Sequence, residues 1–502
     1  MKTKPTLLFK SAVLLLTIFT CSFFTSCSSN ENELKTALDK METRYENIAQ
    51  ELGIEYWNFY SGEAKADLKT PKDKFYNLLI NDTLNLFIET WYPKANEIRD
   101  TILRKRVQTW HNVLISAKVE YSKEIMNLRN ELEEQLEVSD EMDNSNYDFE
   151  SNMIKLIELR NKKSFELGYD NYVHLTFETN GLGYDWFMDF VETLESETNK
   201  PFKNLIEDTK TQYDIEEFGQ MNLMQMVGQF YRNNEPTELK NENNINLVKQ
   251  SLANIGIEYN QLPSRLVEME LPAGIGGQGL MINIPNDFRA VMTLNMDITV
   301  WMHEMGHGLH GLFNSINKPI LEGYEWIPGN STAAFAEGMA ETSAWFTRTK
   351  AWQKEYTNLT EKQMDEKRAI INKFAPAFIR YHLYFCMSEI DLYLSSEKSF
   401  DEIQKDLAKK YFFIDSDEYR TRNFNSIVYV SYPLYLQNYL LADIVASQVH
   451  TSLKENFGEN YAFNKNVGAY LTKHFYSSGE YYNWNERLIH GTGKPLDLDA
   501  YL

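Results

Sequence analysis

Hydrophobic positions over most of the chain recur with the spacing of an α-helix. From Asn32 to about Asp208, apolar residues return every three or four positions, with charged residues between them. This period places the apolar side chains on one face of a helix. The pattern resumes after Met292 and predicts helices over residues 295–314, 331–348, 360–394, 400–411 and 431–456.

One segment between the helical regions favours β-structure. Leu271–Gly279 is rich in glycine and precedes the apolar run Leu280–Pro285, which predicts two short strands joined by a turn. A phosphate-binding loop is not expected there, because the Lys-Ser/Thr pair of a P-loop is missing. We therefore predict an all-α fold with a small β-hairpin, and we expect Pro376 to kink or split the helix over 360–394.

The charge balance narrows the classes of partner. The 502 residues include 72 acidic and 50 basic side chains, so the net charge is −22 at pH 7. Such a chain repels a phosphate backbone, and nucleic-acid binding is therefore not expected. A composition with 43% hydrophobic and 24% charged residues is typical of a globular protein and not of a disordered one.

The N-terminus has the pattern of an export signal. Basic residues (Lys2, Lys4 and Lys10) precede an apolar stretch over Ser11–Phe24, and small residues precede Cys27. This order resembles a bacterial lipoprotein signal, in which the cysteine receives the lipid. We predict a signal over residues 1–27, a lipid on Cys27 and anchoring to a membrane of the bacterial cell envelope. The alternatives are an ordinary cleaved signal or a single membrane anchor, although the stretch is short for a span.

The strongest chemical signal is the sequence His303-Glu304-Met305-Gly306-His307. It follows an apolar helical run, so the two histidines lie one turn apart on one helix face. Both rings can then reach one zinc ion. Glu304 lies beside the first ligand, where it can take a proton from water made more acidic by zinc. The alternative is a helix with two buried histidines and an ion-paired glutamate.

A catalytic zinc site needs a third protein ligand and one open position. The best candidate is Glu337 on a later helix, because the small residues that flank it let two helices approach closely. Glu341, one turn further on, can accept a ring N–H from a zinc-bound histidine. Glu322 and Glu325 are rival ligands in a segment that resembles a loop. We interpret His310 as a packing residue or an outer contact of the site.

These residues resemble a known group of helical zinc peptidases. Asp287–Arg289, Asn295–Asp297, the zinc motif and Phe335–Glu341 are similar to the angiotensin-converting enzyme family, whereas His307–Phe313 is closer to thimet oligopeptidase. The resemblance is loose over residues 33–502 and specific over residues 287–346. It implies a gluzincin metallopeptidase with one catalytic domain over residues 28–502. In that fold, two lobes of a helical ellipsoid flank a deep central cleft with zinc at its floor.

The same resemblance assigns roles to a run of tyrosines. Tyr432 corresponds to the residue that stabilises the oxyanion, and a phenol aimed at developing negative charge is chemically suited to this. Tyr429 corresponds to a contact of the substrate carboxylate, and Tyr435 is an alternative for these roles. The family has an arginine that takes part in chloride binding where this chain has Ser431. Chloride activation of that kind is therefore not expected.

The cleavage mode follows from the resemblance and from two arginines. Arg420 and Arg422 can each bind a C-terminal carboxylate bidentately, or they can be surface charges. We predict a monomeric peptidase with one Zn²⁺ per chain, which acts on short peptides as a peptidyl-dipeptidase. A thimet-like oligoendopeptidase that cuts internally is the alternative within the enzyme class. An inactive peptide-binding lipoprotein is the alternative from another class.

Overall fold

The structure is a computed structural model. It describes residues 8–138, 147–241, 243–271, 276–395, 397–415, 419–422, 426–499 and 501. The side chains of residues 8–29 lie outside this description, and so does the predicted lipidation site at Cys27. Among the described helices, none is both long enough and apolar enough to cross a membrane.

Helices make up most of the described chain. In chain order they are α1 (Leu8–Ser61), α2 (Lys69–Leu79), α3 (Asp82–Trp91), α4 (Thr101–Glu120), α5 (Lys123–Val138), α6 (Tyr147–Glu166), α7 (Tyr172–Thr179), α8 (Tyr184–Tyr213), α9 (Gln220–Asn234), α10 (Asn244–Asn254), α11 (Ile298–Leu312), α12 (Ala333–Trp345), α13 (Lys350–Tyr356), α14 (Glu361–Leu394), α15 (Phe400–Phe412), α16 (Ile427–Ser431), α17 (Leu436–Phe457), α18 (Val467–Leu471) and α19 (Trp484–Thr492). The predicted all-α class is confirmed.

The helices predicted after Met292 correspond to α11, α12, α14, α15 and α17. The largest difference is at α17, which begins at Leu436 and not at residue 431. Pro376 does not split α14, which continues to Leu394. The proline removes a single backbone donor, while the residues that follow it, Ala377 and Phe378, are buried against neighbouring helices. This packing outweighs the loss of one hydrogen bond.

The β-structure is a sheet of three strands: β1 (Ser264–Glu268), β2 (Gly277–Asn283) and β3 (Asp287–Met292). β3 lies in the middle, parallel to β1 and antiparallel to β2. β2 pairs with the segment after Pro285, whereas residues 272–275 of the glycine-rich segment, where the first predicted strand falls, lie outside the described residues. Glycines in β2 weaken the alternating pattern by which a strand is recognised.

Three helices pack around one seam that carries the site. α12 lies between α11 and α17, and glycines let the backbones approach. A Cβ atom on Gly306 of α11 would lie 2.6 Å from the Cα of Ala340, and one on Gly338 of α12 would lie 2.5 Å from Val445. Neither position has room for a larger residue. One buried apolar cluster surrounds the seam and draws residues from helices between α4 and α19, and a separate buried cluster lies under α1–α4.

Candidate metal centre

α11 turns both histidines of the motif toward one side. Asp297 caps its N-terminus by accepting a hydrogen bond from the Thr299 N–H at 2.7 Å. Apolar side chains such as Trp301 and Met305 are fully buried. The remaining face carries His303 and His307, which are partly exposed. The apolar residues of the helix thus fix the direction in which the rings point.

The third group comes from α12. Glu337 has a side chain that is 7% exposed, on a helix built almost entirely of small or apolar residues. Such a buried carboxylate is unfavourable unless cationic or polar groups surround it. The close approach of α11 and α12 brings it to the two imidazole rings.

Three ligand atoms converge at the seam. His303 Nε2 lies 3.2 Å from His307 Nε2. Glu337 Oε2 lies 3.3 Å from His303 Nε2 and 3.7 Å from His307 Nε2. Two ligands of a tetrahedral zinc ion at the usual bond lengths are about 3.4 Å apart. Among the described residues, this is the one group of at least three His, Cys, Asp or Glu side chains with metal-binding spacing. We refer to His303, His307 and Glu337 as the ligand cluster.

The buried oxygen of Glu337 supports the fit. Oε1 accepts a hydrogen bond from the Tyr435 hydroxyl at 2.6 Å. Oε2 is buried and receives no hydrogen bond of normal geometry from the described residues. It faces two ring nitrogens that are themselves within hydrogen-bonding distance of each other. A divalent cation at this point would satisfy all three atoms, so the cluster fits a metal ion.

Charges within the cluster shift its pKa values. Burial lowers the pKa of His307, but Glu325 and Glu337 outweigh it and raise the value to about 9. His303 likewise has a pKa well above its ordinary range, because Glu337 and Glu341 oppose the effect of burial. Burial raises the pKa of Glu337, yet the two histidines bring it below the usual value. The cluster therefore attracts cations, protons included.

A carboxylate holds the outer nitrogen of each histidine. Glu341 Oε1 lies 3.1 Å from His303 Nδ1. Glu325 Oε2 lies 2.9 Å from His307 Nδ1. Each carboxylate favours the tautomer in which Nδ1 carries the proton and Nε2 is free to bind a metal. The structure thus places Glu325 behind a histidine, and its rival Glu322 lies outside the ligand cluster.

His310 belongs to this outer layer. Its Nε2 lies 3.1 Å from Nη1 of Arg487, and a guanidinium can only donate, so Nε2 accepts. The ring proton is then on Nδ1, which lies 3.7 Å from Glu325 Oε1. Arg487 is completely buried and paired with Glu480 at 2.8 Å. The chain of contacts Glu480, Arg487, His310 and Glu325 therefore ends at His307.

The β-sheet holds the predicted base. Glu304 Oε2 accepts a hydrogen bond from the backbone N–H of Gly279 at 2.7 Å. Gly279 lies in β2, and its missing side chain leaves room for the carboxylate, since a Cβ atom there would lie 2.8 Å from Oε2. The small sheet thus positions Glu304 beside the ligand cluster.

The three tyrosines of the predicted run have different surroundings. Tyr435 bonds to Glu337, and Tyr432 is its neighbour, with ring centroids 6.2 Å apart. Tyr429 is 9% exposed and packs against Phe400, with ring centroids 6.1 Å apart. This ring contact of Tyr429 does not involve the ligand cluster. The assignments of Tyr432 and Tyr429 stay predictions.

The two arginines considered for a substrate carboxylate lie at other contacts. Arg422 donates to the Tyr381 hydroxyl at 2.9 Å, and its guanidinium lies 4.9 Å from the centre of the Phe385 ring. The backbone of Arg420 exchanges hydrogen bonds with Gln220, and its side chain is exposed. Neither contact involves the ligand cluster.

Sequence reasoning missed two features of the site. Arg487 was not singled out, because a buried arginine far along the chain leaves no local pattern. Tyr439 was also missed, although it lies one helical turn after Tyr435. Its ring centroid lies 5.5 Å from that of Tyr435, which bonds to Glu337. The i, i+4 spacing of two tyrosines is the signal that could have found it.

Comparison with known proteins shows the fold. No protein-family model matches the sequence, and no curated protein matches it. Trypanosoma cruzi metallocarboxypeptidase 1 is similar in structure, with 12% identity, a TM-score of 0.67 and coverage of 93% of this chain and 98% of the other. A carboxypeptidase from Deinococcus radiodurans has 12% identity, a TM-score of 0.62 and coverage of 93% and 97%. PZ peptidase A with a bound inhibitor has 14% identity, a TM-score of 0.52 and coverage of 86% and 82%. The chain therefore has the helical fold of these peptidases.

Proposed function

We propose that this protein is a zinc-dependent peptidase that hydrolyses peptide bonds in short peptides. The observation that carries the proposal is the convergence of His303 Nε2, His307 Nε2 and Glu337 Oε2 at separations of 3.2 to 3.7 Å. Two imidazoles and one carboxylate are a ligand set used by catalytic zinc sites. The helical fold shared with metallocarboxypeptidase 1 supports the same reading.

Each residue has a defined task in this proposal. His303, His307 and Glu337 would hold the zinc ion, which supplies Lewis acidity and lowers the pKa of water. Glu304, fixed by Gly279, takes the proton from the attacking water and passes it to the leaving amine. Glu341 and Glu325 hold the rings in the tautomer that presents Nε2.

Tyr432 is proposed to stabilise the negative charge that develops on the carbonyl oxygen. It is 48% exposed and adjoins Tyr435, so a bound substrate has access to its hydroxyl. Tyr435 is less suited to this role because its hydroxyl already donates to Glu337. A Tyr432→Phe variant should lose kcat and keep zinc, since one donor to an oxyanion is worth roughly 10²–10³ in kcat.

The decisive test combines metal analysis with a Glu304→Gln variant. We expect the purified protein to contain one zinc per chain and a chelator to stop peptide cleavage. Glu304→Gln should bind zinc normally and lose nearly all turnover, because an amide cannot accept the proton. Near-normal turnover in this variant would refute the assigned base. A protein that binds peptides, but does not bind zinc and does not cleave the peptides, would instead be the inactive lipoprotein considered as an alternative.

The cleavage mode is a finer proposal. The resemblance to angiotensin-converting enzyme implies release of C-terminal dipeptides. The carboxypeptidases of similar structure make the release of single C-terminal residues a second option. An oligoendopeptidase would cut internally. Product analysis on a ten-residue peptide, with its C-terminus free or amidated, separates these modes. An enzyme that acts at the C-terminus should stall on the amidated peptide, whereas an internal cutter should cleave both.

We also propose that the protein is anchored to a membrane of the cell envelope through lipid on Cys27. The support is the order of basic, apolar and small residues before this cysteine. Metabolic labelling with a radioactive fatty acid tests it. Label should appear in the natural chain and be lost in Cys27→Ala, and equal labelling of both would contradict the proposal.

A further inference from the structure

Three tyrosines form a row beside the ligand cluster. The ring centroids of Tyr432 and Tyr435 are 6.2 Å apart, and those of Tyr435 and Tyr439 are 5.5 Å apart. Tyr435 is tied to Glu337 by its hydroxyl. The two outer rings, by contrast, are 48% and 42% exposed. We call Tyr432, Tyr435 and Tyr439 the tyrosine row.

The exposure of the outer rings is not ordinary surface exposure. Isolated exposed apolar residues such as Met221 and Phe165 are normal on a protein surface. The two exposed rings here are a different case, because they lie on either side of Tyr435, which bonds to Glu337 of the ligand cluster.

A second set of aromatic residues lies on α1, the helix that packs against β2. Tyr56 and Tyr60 pack against the buried cluster that contains Leu280 and Ile282 of β2. The same strand holds Glu304 through the backbone N–H of Gly279, so α1 adjoins the site. Phe59 packs against Tyr60 with ring centroids 5.2 Å apart and is 50% exposed. We call Tyr56, Phe59 and Tyr60 the aromatic face of α1; burial first and then Tyr432 raise the pKa of Tyr60 to about 12.

We propose that the tyrosine row and the aromatic face of α1 form a subsite for an aromatic side chain of the peptide next to the cleaved bond. This inference rests on the proposed peptidase function. A flat ring can pack against Tyr432 and Tyr439 in offset or edge-on geometry, and it gains more from such rings than an aliphatic side chain of similar area.

The test compares peptides that carry Phe, Leu or Ala at each position flanking the cleaved bond. We expect kcat/KM to favour Phe over Ala by roughly 10-fold or more at one position, since a buried ring removes a large apolar area from water. Tyr432→Ala or Tyr439→Ala should reduce this ratio by roughly 2- to 12-fold, the range for one aromatic pair. Tyr432→Phe keeps the ring and should keep the ratio, whatever it does to kcat.

The matched control is Tyr213→Ala, which removes a tyrosine that is 59% exposed at the end of α8. It should leave the Phe/Ala ratio unchanged. A natural protein that cleaves Phe and Ala peptides equally would overturn the aromatic subsite while the peptidase function stands. A Phe/Ala ratio of kcat/KM that stays unchanged in Tyr432→Ala and in Tyr439→Ala would also overturn the aromatic subsite.

Peptide binding to the zinc-loaded Glu304→Gln variant, measured by calorimetry, separates the two proposals. If no peptide is cleaved by the natural protein, the peptidase function fails. The subsite is then supported by a Kd for the Phe peptide at least about 10-fold below that for the Ala peptide, provided that Tyr432→Ala reduces this difference. Equal Kd values overturn it.

Discussion

Replacing Gly279 by alanine tests how the base is positioned. A Cβ atom at this residue would lie 2.8 Å from Oε2 and 3.2 Å from the backbone oxygen of Glu304. To regain ordinary van der Waals separation, the carboxylate must move by roughly 0.5 Å or more. Since a misplacement of about 1 Å can cost 10²-fold in rate, we expect kcat to fall about 10- to 100-fold. This corresponds to about 1.4 to 2.7 kcal/mol of activation free energy.

The ligand atoms are not touched by this change, so zinc affinity should stay within about threefold of the natural value. The assay is steady-state cleavage of a short peptide together with a competitive zinc titration and a thermal unfolding curve. Gly228→Ala is the control, because a Cβ atom there meets nothing closer than 3.6 Å. If Gly279→Ala keeps normal kcat while folded and zinc-loaded, Gly279 does not set the position of Glu304.

Three further predictions concern charges near the site. Glu325→Gln should weaken zinc binding about 10- to 100-fold in a competitive titration, because the His307 ring is then held less firmly. The control Glu322→Gln should leave zinc affinity unchanged, and an equal loss of affinity in both variants would contradict the role of Glu325. Burial, together with the charges of Glu46 and Glu42, raises the pKa of Glu322 in the folded protein to about 8, whereas the value in the unfolded chain is 4.5. The contribution of this group to the free energy of unfolding is therefore fully present below pH 4.5 and is lost as the pH rises toward 8. Glu322→Gln should therefore flatten the fall in unfolding free energy between these pH values, as measured by urea denaturation, and an unchanged slope would count against it. With its pKa at about 9, His307 is protonated in the zinc-free protein at pH 7.5, so zinc binding should release protons. Calorimetry in two buffers of different ionisation enthalpy measures this release, and a binding enthalpy that is the same in both buffers would contradict the prediction.

The ligand cluster could be predicted because its logic is local. Two histidines four residues apart share a helix face whatever the rest of the fold does. The third ligand then has to come from one of the acidic residues that follow the motif in the sequence. Glu337 stood out because its small neighbours permit close helix packing, which Gly338 against Val445 now shows. The existence and order of the helices after Met292 were likewise encoded in short-range periodicity, although their ends were not.

The roles of Glu325 and Arg487 in the outer layer could not be predicted, because they depend on distant contacts. Glu325 lies in a loop, and its position behind His307 is set by how residues 319–330 pack onto other parts of the chain. Arg487 reaches His310 across 177 positions. The pairing of β2 with β3 was not predicted, because a glycine-rich strand has few side chains to show which face is buried. Such features become visible only when the tertiary structure is known.

Gly306, which lies between Glu304 and His307, has a consequence beyond packing. Its Cα faces the backbone of α12 so closely that even alanine would wedge the two helices apart. The residue with no functional group thus sets the gap across which the imidazoles and the carboxylate meet. Replacing Gly306 by alanine would add a single methyl group and widen that gap, which makes room for a larger ion without altering any donor atom.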